Sequence, residues 1–244
     1  MNMMKLLAAL AVAACLPLHA QVTPEALKAD LKKKIPEAPV ESVRKTPYNG
    51  LWEVVAGGEI FYTDEKASFL SLGPIVDLNT HENVTEARLR QVNAINFSAL
   101  PFDSAIKIVR GNGARKIALF EDPNCGYCKR FERDLQGVSD ITVYVFLYPI
   151  LAPDSVDKSK AIWCSPDRGK AWIDAMVHDK LPPVEGRCQA PLDKNLAFGR
   201  DKRIHGTPTL VFENGERLPG AISVADLEKR FAEVKGPVAS AKQP

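Results

Sequence analysis

The stretch Phe120-Glu121-Asp122-Pro123-Asn124-Cys125-Gly126-Tyr127-Cys128 joins a strand end, a short loop and two cysteines that open a helix. The apolar run 116–120 has the length of a strand, and Pro123 ends it because proline cannot donate to a β-ladder. Asn124 is a favourable N-cap, and apolar residues follow at the i, i+4 spacing of an amphipathic helix. The sequence therefore predicts a strand–loop–helix unit with Cys125 at the first helical position.

A cysteine at that position faces the unpaired backbone N–H groups and the positive dipole end of the helix. These groups favour a thiolate, so we expect a depressed pKa for Cys125 and predict that it is the nucleophile. Cys128 lies one turn further on, where it can close a disulfide and expel a captured partner. The two residues are interpreted as a redox-active dithiol that needs no cofactor.

A purely structural disulfide and half of a zinc site are the alternatives to a dithiol. Tetrahedral zinc would require a second closely spaced Cys/His pair. The remaining cysteines of the downstream chain, Cys164 and Cys188, are far apart, and no histidine stands at ligand spacing. We therefore predict no metal site.

Composition and charge bound the possible functions. The chain has 244 residues, 45% of them hydrophobic, which is enough for a packed core and two modest domains. The formal net charge of +2 gives no strong field for binding nucleic acid. Basic clusters such as Lys32-Lys33-Lys34 are interpreted as a solvated helix face.

The N-terminus has the pattern of a secretory signal peptide. Lys5 precedes an apolar run from Leu6 to Leu16, which is too short to span a bilayer. We predict cleavage after Ala20 and a periplasmic location. A lipoprotein signal that would acylate Cys15 is the alternative.

Export to an oxidising compartment would allow the remaining cysteines to form disulfides. Without Cys15, four cysteines remain in an oxidising compartment, and four allow three pairings. If Cys125 and Cys128 form the pair that undergoes disulfide exchange, Cys164 and Cys188 are left to form a structural disulfide with each other. Two free buried thiols are the alternative.

Residues 21–82 are predicted to form a small α+β domain. Thr23-Pro24-Glu25 is a helix start, and strands are expected at 40–46, 51–55 and 59–62, with Gly57-Gly58 as a hairpin turn. A further short strand is predicted from Ser68 to Leu72. So small a domain would gain stability by pairing a sheet edge with a second copy of itself.

Residues 83–104 are predicted to be a helix followed by a linker, with Asn83 and Glu86 as a capping box. Residues 105–235 follow as the second domain. Its strands at 116–120 and 141–147 flank the cysteine helix, which predicts a parallel pair. A helical insertion at 153–203 follows, with one helix starting at Ser165-Pro166. Residues 236–244 are predicted to be disordered.

The last part of this domain contains Gly206-Thr207-Pro208, a strand at 209–213, a type I′ turn at Asn214-Gly215 and a closing helix. With the strand–helix–strand unit that carries Cys-x-x-Cys, this order resembles the thioredoxin superfamily. The resemblance implies that Pro208 is cis and faces the dithiol. A client strand could then dock on backbone groups at Thr207.

Within the superfamily, the chain is similar to the bacterial periplasmic disulfide isomerases of the DsbC/DsbG family. The matching residues are Cys125-Gly126-Tyr127-Cys128, Ala161-Ile162-Trp163-Cys164, Cys188 and Gly206-Thr207-Pro208. The resemblance implies an α/β thioredoxin-like domain with a helical insertion, preceded by a small α+β dimerisation domain and a linker helix. It also implies a homodimer whose dithiols face a cleft and are kept reduced by a membrane reductase of the DsbD type.

The predicted function is isomerisation or reduction of non-native disulfides in exported proteins. Cys125 and Cys128 are the predicted catalytic residues, and Gly126, Tyr127, Gly206, Thr207 and Pro208 the predicted client-binding residues. The alternatives are a DsbG-like sulfenic-acid reductase, a general thiol oxidoreductase and a holdase chaperone. Gly126 favours the isomerase, because the DsbG branch usually has proline there.

Overall fold

The computed structural model describes residues 22–183 and 188–234. The predicted signal peptide, Cys15 and the predicted tail at 236–244 lie outside the described residues. Contacts divide the chain into two units between Gly73 and Pro74. The predicted boundaries at 21–82, 83–104 and 105–235 stay predictions.

The described residues form helices and strands in both units. The helices are α1 (Pro24–Lys34), α2 (Val84–Val92), α3 (Gly126–Leu135), α4 (Ser155–Trp163), α5 (Arg168–His178), α6 (Leu192–Asp201) and α7 (Val224–Glu233). The strands are β1 (Val40–Lys45), β2 (Trp52–Ala56), β3 (Glu59–Thr63), β4 (Ile106–Arg110), β5 (Arg115–Glu121), β6 (Ile141–Leu147), β7 (Thr209–Phe212) and β8 (Arg217–Pro219).

The first unit packs one helix on a three-stranded antiparallel sheet of order β1-β2-β3. The predicted helix start is confirmed, because the Thr23 side chain accepts from the Ala26 N–H and Pro24 is the first helical residue. Leu27 and Leu31 of α1 are buried against the sheet. The Gly57-Gly58 hairpin turn is also confirmed, since both glycines have positive φ.

The strand predicted from Ser68 to Leu72 is wrong. The structure has only an isolated antiparallel bridge there, in which Ser71 and Tyr62 exchange two backbone hydrogen bonds of 2.8 and 3.0 Å. The large apolar residues of this segment that favoured a strand, Phe69, Leu70 and Leu72, are exposed. A strand of this kind is usually stabilised by burial of its apolar side chains on one face of a sheet, and these side chains are not buried.

The second unit is built on a five-stranded sheet of order β4-β6-β5-β7-β8. Strands β5 and β6 are parallel, which confirms the predicted strand–helix–strand unit, and the other pairs are antiparallel. Helices α4, α5 and α6 form the insertion between β6 and β7. Because β5 and β6 are both central, their side chains are buried on both faces.

The two faces of this sheet carry separate cores. Ile117 and Leu119 of β5 pack with residues of α3, α5 and α7. Ala118 and Phe120, which point to the opposite face, pack with Ile95, Phe97 and Leu100. Residues 95–100, predicted as part of the linker, are therefore tied to the sheet of the second unit.

Helix α2 begins where the sequence indicates, since the Asn83 side chain accepts from the Glu86 N–H at 3.0 Å. The Glu86 carboxylate does not complete a capping box, because it pairs with Arg90 at 2.9 Å. The capping half of this prediction is confirmed, and the reciprocal half is wrong.

Two predicted local structures differ from the observed ones. Helix α5 starts after Asp167, whose side chain accepts from the Lys170 N–H at 2.9 Å, and not at Ser165-Pro166. The Asn214-Gly215 turn is not type I′, because only Gly215 has positive φ. The Phe212 N–H donates to the Glu216 carbonyl, which leaves a three-residue loop with glycine at its left-handed position.

Within residues 22–183 and 188–234, every helix is too short or too polar to cross a bilayer.

Candidate active site

Cys125 stands at the junction of β5 and α3, one residue earlier in the helix than predicted. It is the N-cap of α3, and its Sγ accepts the backbone N–H of Cys128 at 3.1 Å. The prediction that Asn124 caps this helix is wrong. An N-cap side chain can accept an orphan N–H of the first turn, so the correction places the sulfur where that donor stabilises negative charge.

Asn124 has another role, because its side chain points to the start of α4. Its Nδ2 donates to Asp154 Oδ1 at 2.9 Å and to Ser155 Oγ at 2.8 Å. Its Oδ1 accepts from Lys158 Nζ at 2.5 Å. Asn124 thus fastens the residue before Cys125 to the helical insertion.

Cys125 and Cys128 form a disulfide with their Cα atoms 5.1 Å apart. Cys125 is 3% exposed and Cys128 is fully buried. Tyr127, between them, is 69% exposed. Both cysteines are therefore buried, Cys125 slightly less than Cys128, and the tyrosine between them is exposed to solvent.

The Thr207–Pro208 peptide bond is cis, as the resemblance implies. The Thr207 carbonyl oxygen lies 3.3 Å from the Cys125 Sγ. In the part of the chain that the structure describes, neither the Thr207 backbone N–H nor its Oγ1 has a hydrogen-bond partner. Residues that are 82 apart in sequence are therefore brought together, with backbone groups available beside the sulfur.

The loop that carries Pro208 is held on both sides. Tyr148 directly follows β6, and its hydroxyl donates to the Ile204 carbonyl at 2.9 Å. The Pro208 carbonyl accepts from the Gly220 N–H at 2.7 Å. Tyr148 also packs on α6 so closely that a Cβ at Gly199 would lie 2.3 Å from its ring, so only glycine fits there.

Two predicted client-binding glycines lie in open space. A Cβ at Gly126 or Gly206 would meet no atom within 4 Å. Gly126 is the first helical residue, where proline is well tolerated. His205 is exposed on the same loop as Gly206.

The sequence reasoning missed the buried carboxylate of Asp122. Its Oδ2 accepts the backbone N–H groups of Ile150 at 2.7 Å and Leu151 at 2.9 Å. Its Oδ1 accepts the Asn124 N–H and the Ser155 hydroxyl, both at 2.8 Å. The only signal in the sequence was an acidic residue directly before the loop of the cysteine motif.

A second carboxylate centre lies under α3, and the sequence reasoning missed it too. Glu121 ends β5 and Glu132 lies one helical turn after Cys128, and both are fully buried. Burial and the neighbouring charge of Glu132 raise the pKa of Glu121 well above its usual range. Burial also raises the pKa of Glu132, although Trp172 Nε1 donates to its Oε1 at 2.8 Å. An acid at the end of a strand buried on both faces was the available signal.

Cys164 and Cys188 are also paired, with their Cα atoms 5.7 Å apart. Cys164 is the C-cap of α4, so the bridge connects the end of this helix to the segment before α6. Within the described residues, no group of three or more His, Cys, Asp or Glu side chains could hold a metal ion.

Two family models match the chain. The thioredoxin-like domain matches residues 102–235, and the disulfide bond isomerase N-terminal domain matches residues 18–86.

Individual relatives agree with these matches. A probable thiol:disulfide interchange protein DsbC of Bordetella pertussis is 45% identical over 207 residues, covering 85% of this chain and 74% of the relative. The DsbC of Escherichia coli K12 is 26% identical over 185 residues, covering 73% of this chain and 75% of the relative. The crystal structure of a disulfide interchange protein from Neisseria gonorrhoeae superposes with a TM-score of 0.54 at 41% identity, covering 56% of this chain and 99% of that one.

The fold and the paired cysteines define a thiol:disulfide oxidoreductase with a thioredoxin-like domain, which confirms the predicted fold class. The match to the disulfide bond isomerase N-terminal domain and the 45% sequence identity to the Bordetella pertussis relative identify one family within this class. The chain belongs to the DsbC family of thiol:disulfide interchange proteins.

Proposed function

We propose that this protein isomerises and reduces non-native disulfides of exported proteins, with Cys125 as the attacking sulfur. The Cys125 thiolate attacks one sulfur of a client disulfide, so that a Cys125–client disulfide forms and the other client sulfur leaves as a thiolate. A client thiolate then attacks the mixed disulfide and releases Cys125 with a new client pairing. Alternatively, the Cys128 thiolate attacks Cys125 and leaves the client reduced.

The position of the Cys125 sulfur is the observation that carries this proposal. It accepts the Cys128 N–H at 3.1 Å at the N-terminus of a ten-residue helix. The donor and the helix dipole both stabilise a thiolate over a thiol, and the thiolate is the form that attacks a disulfide.

Client binding is proposed to use the backbone beside this sulfur. The Thr207 N–H and carbonyl can form β-type hydrogen bonds with an extended client segment, without a demand on its side chains. Pro208 shapes this docking segment, Gly206 and Gly126 leave space on either side, and Tyr127 offers an exposed ring.

The electrons come from the dithiol itself, with no cofactor. Each net reduction of a client leaves Cys125–Cys128 oxidised, so a reductant must return two electrons and two protons. We propose a membrane reductase of the DsbD type for this step. The Cys164–Cys188 bridge is proposed to be structural and to contribute about 3 kcal/mol to stability.

We further propose an exported, periplasmic homodimer joined through the first unit. The match of residues 18–86 to the disulfide bond isomerase N-terminal domain supports this assembly. Phe69, Leu70 and Leu72 of this unit are exposed, and exposed apolar clusters mark interaction sites.

Reactivation of a scrambled multi-disulfide client by catalytic amounts of reduced protein tests the proposal. We expect recovery with the unmodified protein, none with Cys125→Ser, and trapped mixed disulfides with Cys128→Ser. Failure of the unmodified protein with this client, while it still reduces simple disulfides, would contradict isomerisation. Suppression of client aggregation by Cys125→Ser would identify a separate holdase activity, and reduction of a sulfenic acid without client recovery would favour the reductase alternative.

A further inference from the structure

Three of the exposed large apolar residues lie on the Cys-x-x-Cys segment itself or on a segment that is hydrogen-bonded to Asp122, three residues before Cys125. Tyr127 is 69% exposed, Leu151 is 52% exposed and Ile150 is 39% exposed. Tyr127 lies between the two cysteines, and the other two follow β6. An exposed apolar group beside a reactive sulfur is available to a client only if the segment that carries it is held in place.

The carboxylate of Asp122 holds the 150–151 segment in place. Both of its consecutive backbone N–H groups donate to the same carboxylate oxygen, at 2.7 and 2.9 Å. The backbone carbonyl of Asp122 accepts the Cys125 N–H at 2.9 Å. Asp122 therefore links the backbone of Ile150 and Leu151, through its carboxylate, to the backbone of Cys125, through its carbonyl.

Further contacts fix the same segment from its other side. The Ser155 hydroxyl accepts the Ala152 N–H at 3.2 Å and donates to Asp122 at 2.8 Å. The Tyr148 N–H donates to the Glu121 carbonyl at 2.7 Å. The backbone on both sides of Ile150-Leu151 is thus hydrogen-bonded while both side chains face solvent, so they form a preorganised apolar surface.

We propose that Ile150 and Leu151 form a client subsite that binds the apolar side chains flanking a client cysteine. The inference rests on the proposed function, and it adds a preference among clients. Cysteine is among the most buried residue types, so its neighbours in a native core are commonly apolar. When such a cysteine is mispaired, these neighbours are exposed and can cover Ile150 and Leu151 during attack. The subsite therefore favours cysteines that belong in a core over those on a native surface.

Two peptide disulfides test the subsite. Each is a disulfide-linked dimer of an eight-residue peptide with one central cysteine, flanked by leucine and valine in one and by serine and glycine in the other. Attack by Cys125 on either sulfur forms the mixed disulfide and releases one peptide thiol. The second-order rate constant is measured with the reduced full-length protein after acid quenching.

We expect the unmodified protein to react about tenfold faster with the apolar dimer. The Ile150→Ser/Leu151→Ser variant should react equally with both dimers and should reduce glutathione disulfide at the unmodified rate. Val109→Ser is the matched control, because Val109 is 53% exposed on β4 and pairs with Thr142 near the start of β6, away from the dithiol. It should keep the tenfold preference.

An unmodified protein without preference, or a double variant that retains it, would overturn the subsite while leaving disulfide interchange intact. Absence of reaction with all three disulfides would overturn the proposed function as well. If the double variant loses reactivity toward glutathione disulfide, the single variants Ile150→Ala and Leu151→Ala replace it. Each should lower the preference about threefold, and an unchanged preference in both would overturn the proposal.

Discussion

Glu121 and Asp122 are adjacent in sequence and both fully buried, yet their surroundings are opposite. The Asp122 carboxylate accepts four hydrogen bonds, from Asn124, Ile150, Leu151 and Ser155. In the described part of the chain, neither carboxylate oxygen of Glu121 has a hydrogen-bond donor that meets normal geometry. One carboxylate organises the loops around the dithiol, and the other lies in the apolar layer beneath it.

The difference shows that burial alone does not decide what a carboxylate does. A buried carboxylate is stable when donors replace its lost hydration, and four donors do this for Asp122. Without such donors, burial favours the protonated acid, and the nearby charge of Glu132 increases this preference and raises the pKa of Glu121. Glu121 is the last residue of β5 and Asp122 lies just beyond it, in the loop that leads to α3, so the two side chains enter different environments.

The largest expected effect comes from removing the Asp122 carboxylate. Asp122→Ala leaves one buried and three partly buried donors without their acceptor and should lower the free energy of unfolding by about 3–5 kcal/mol. Asp122→Asn keeps the volume but turns an amide N–H₂ toward one pair of donors, so about half of that loss is expected. Urea unfolding of the oxidised protein measures both.

Asp157→Ala is the control for this prediction, because Asp157 is an exposed acid on α4. It should change the free energy of unfolding by less than about 0.5 kcal/mol. Equal effects of the Asp122 and Asp157 variants would show that the four hydrogen bonds to Asp122 stabilise the fold no more than an exposed carboxylate does.

Glu121→Gln should have a smaller effect of opposite sign. The folded-state pKa of Glu121 is raised above the unfolded value of about 4.3, so the folded protein binds more protons between the two values. Stability is therefore fully present below the unfolded pKa and decreases as pH rises through the folded pKa. The glutamine variant should lose part of this decrease and be more stable than the unmodified protein at the alkaline end of the pH range.

Unfolding measured from pH 4 to pH 9 checks this sign. Glu132 of α3 faces Glu121, and Trp172 and Arg110 act on Glu132, so some pH dependence should persist in the variant. Asp134→Asn, an exposed change on the same helix, should leave the profile of the unmodified protein. A destabilised Glu121→Gln variant at pH 8 would show that the carboxylate is stabilised by something other than proton uptake.

The smallest expected effect concerns Asn124, at the edge of the Asp122 network. Asn124→Ala removes partly exposed hydrogen bonds to Asp154, Ser155 and Lys158 and should cost about 1 kcal/mol. A double-mutant cycle with Lys158→Ala separates the contact between these two side chains from the rest. No coupling in that cycle would mean that the Asn124–Lys158 contact adds nothing to the network.

Local patterns predicted most of the elements around the dithiol. The apolar run before Cys125, the strand–helix–strand order around it and the helix start at Thr23 depend on neighbours within a few positions, and the structure follows them. Errors in the helix starts arose where two residues close in sequence could both cap the same helix. Asn124 and Cys125 could both cap α3. The Asn124 side chain instead hydrogen-bonds to Asp154 and Lys158 at the start of α4, and Cys125 is the N-cap. Asp167 likewise caps α5 in place of Ser165.

The sequence by itself determined the class of chemistry. The indicative motifs are two cysteines one helical turn apart after a strand, and Gly-Thr-Pro before a later strand. Both are short, so they can be recognised from neighbouring residues without knowledge of the tertiary structure. Only the tertiary structure decided which groups surround these residues. It placed the Thr207 carbonyl 3.3 Å from the Cys125 sulfur and left Ile150 and Leu151 exposed. It also directed four donors to Asp122 and, among the residues that the structure describes, none to Glu121. Such contacts join residues far apart in the chain, and the packing of the sheet and insertion sets them, so no local pattern contains them.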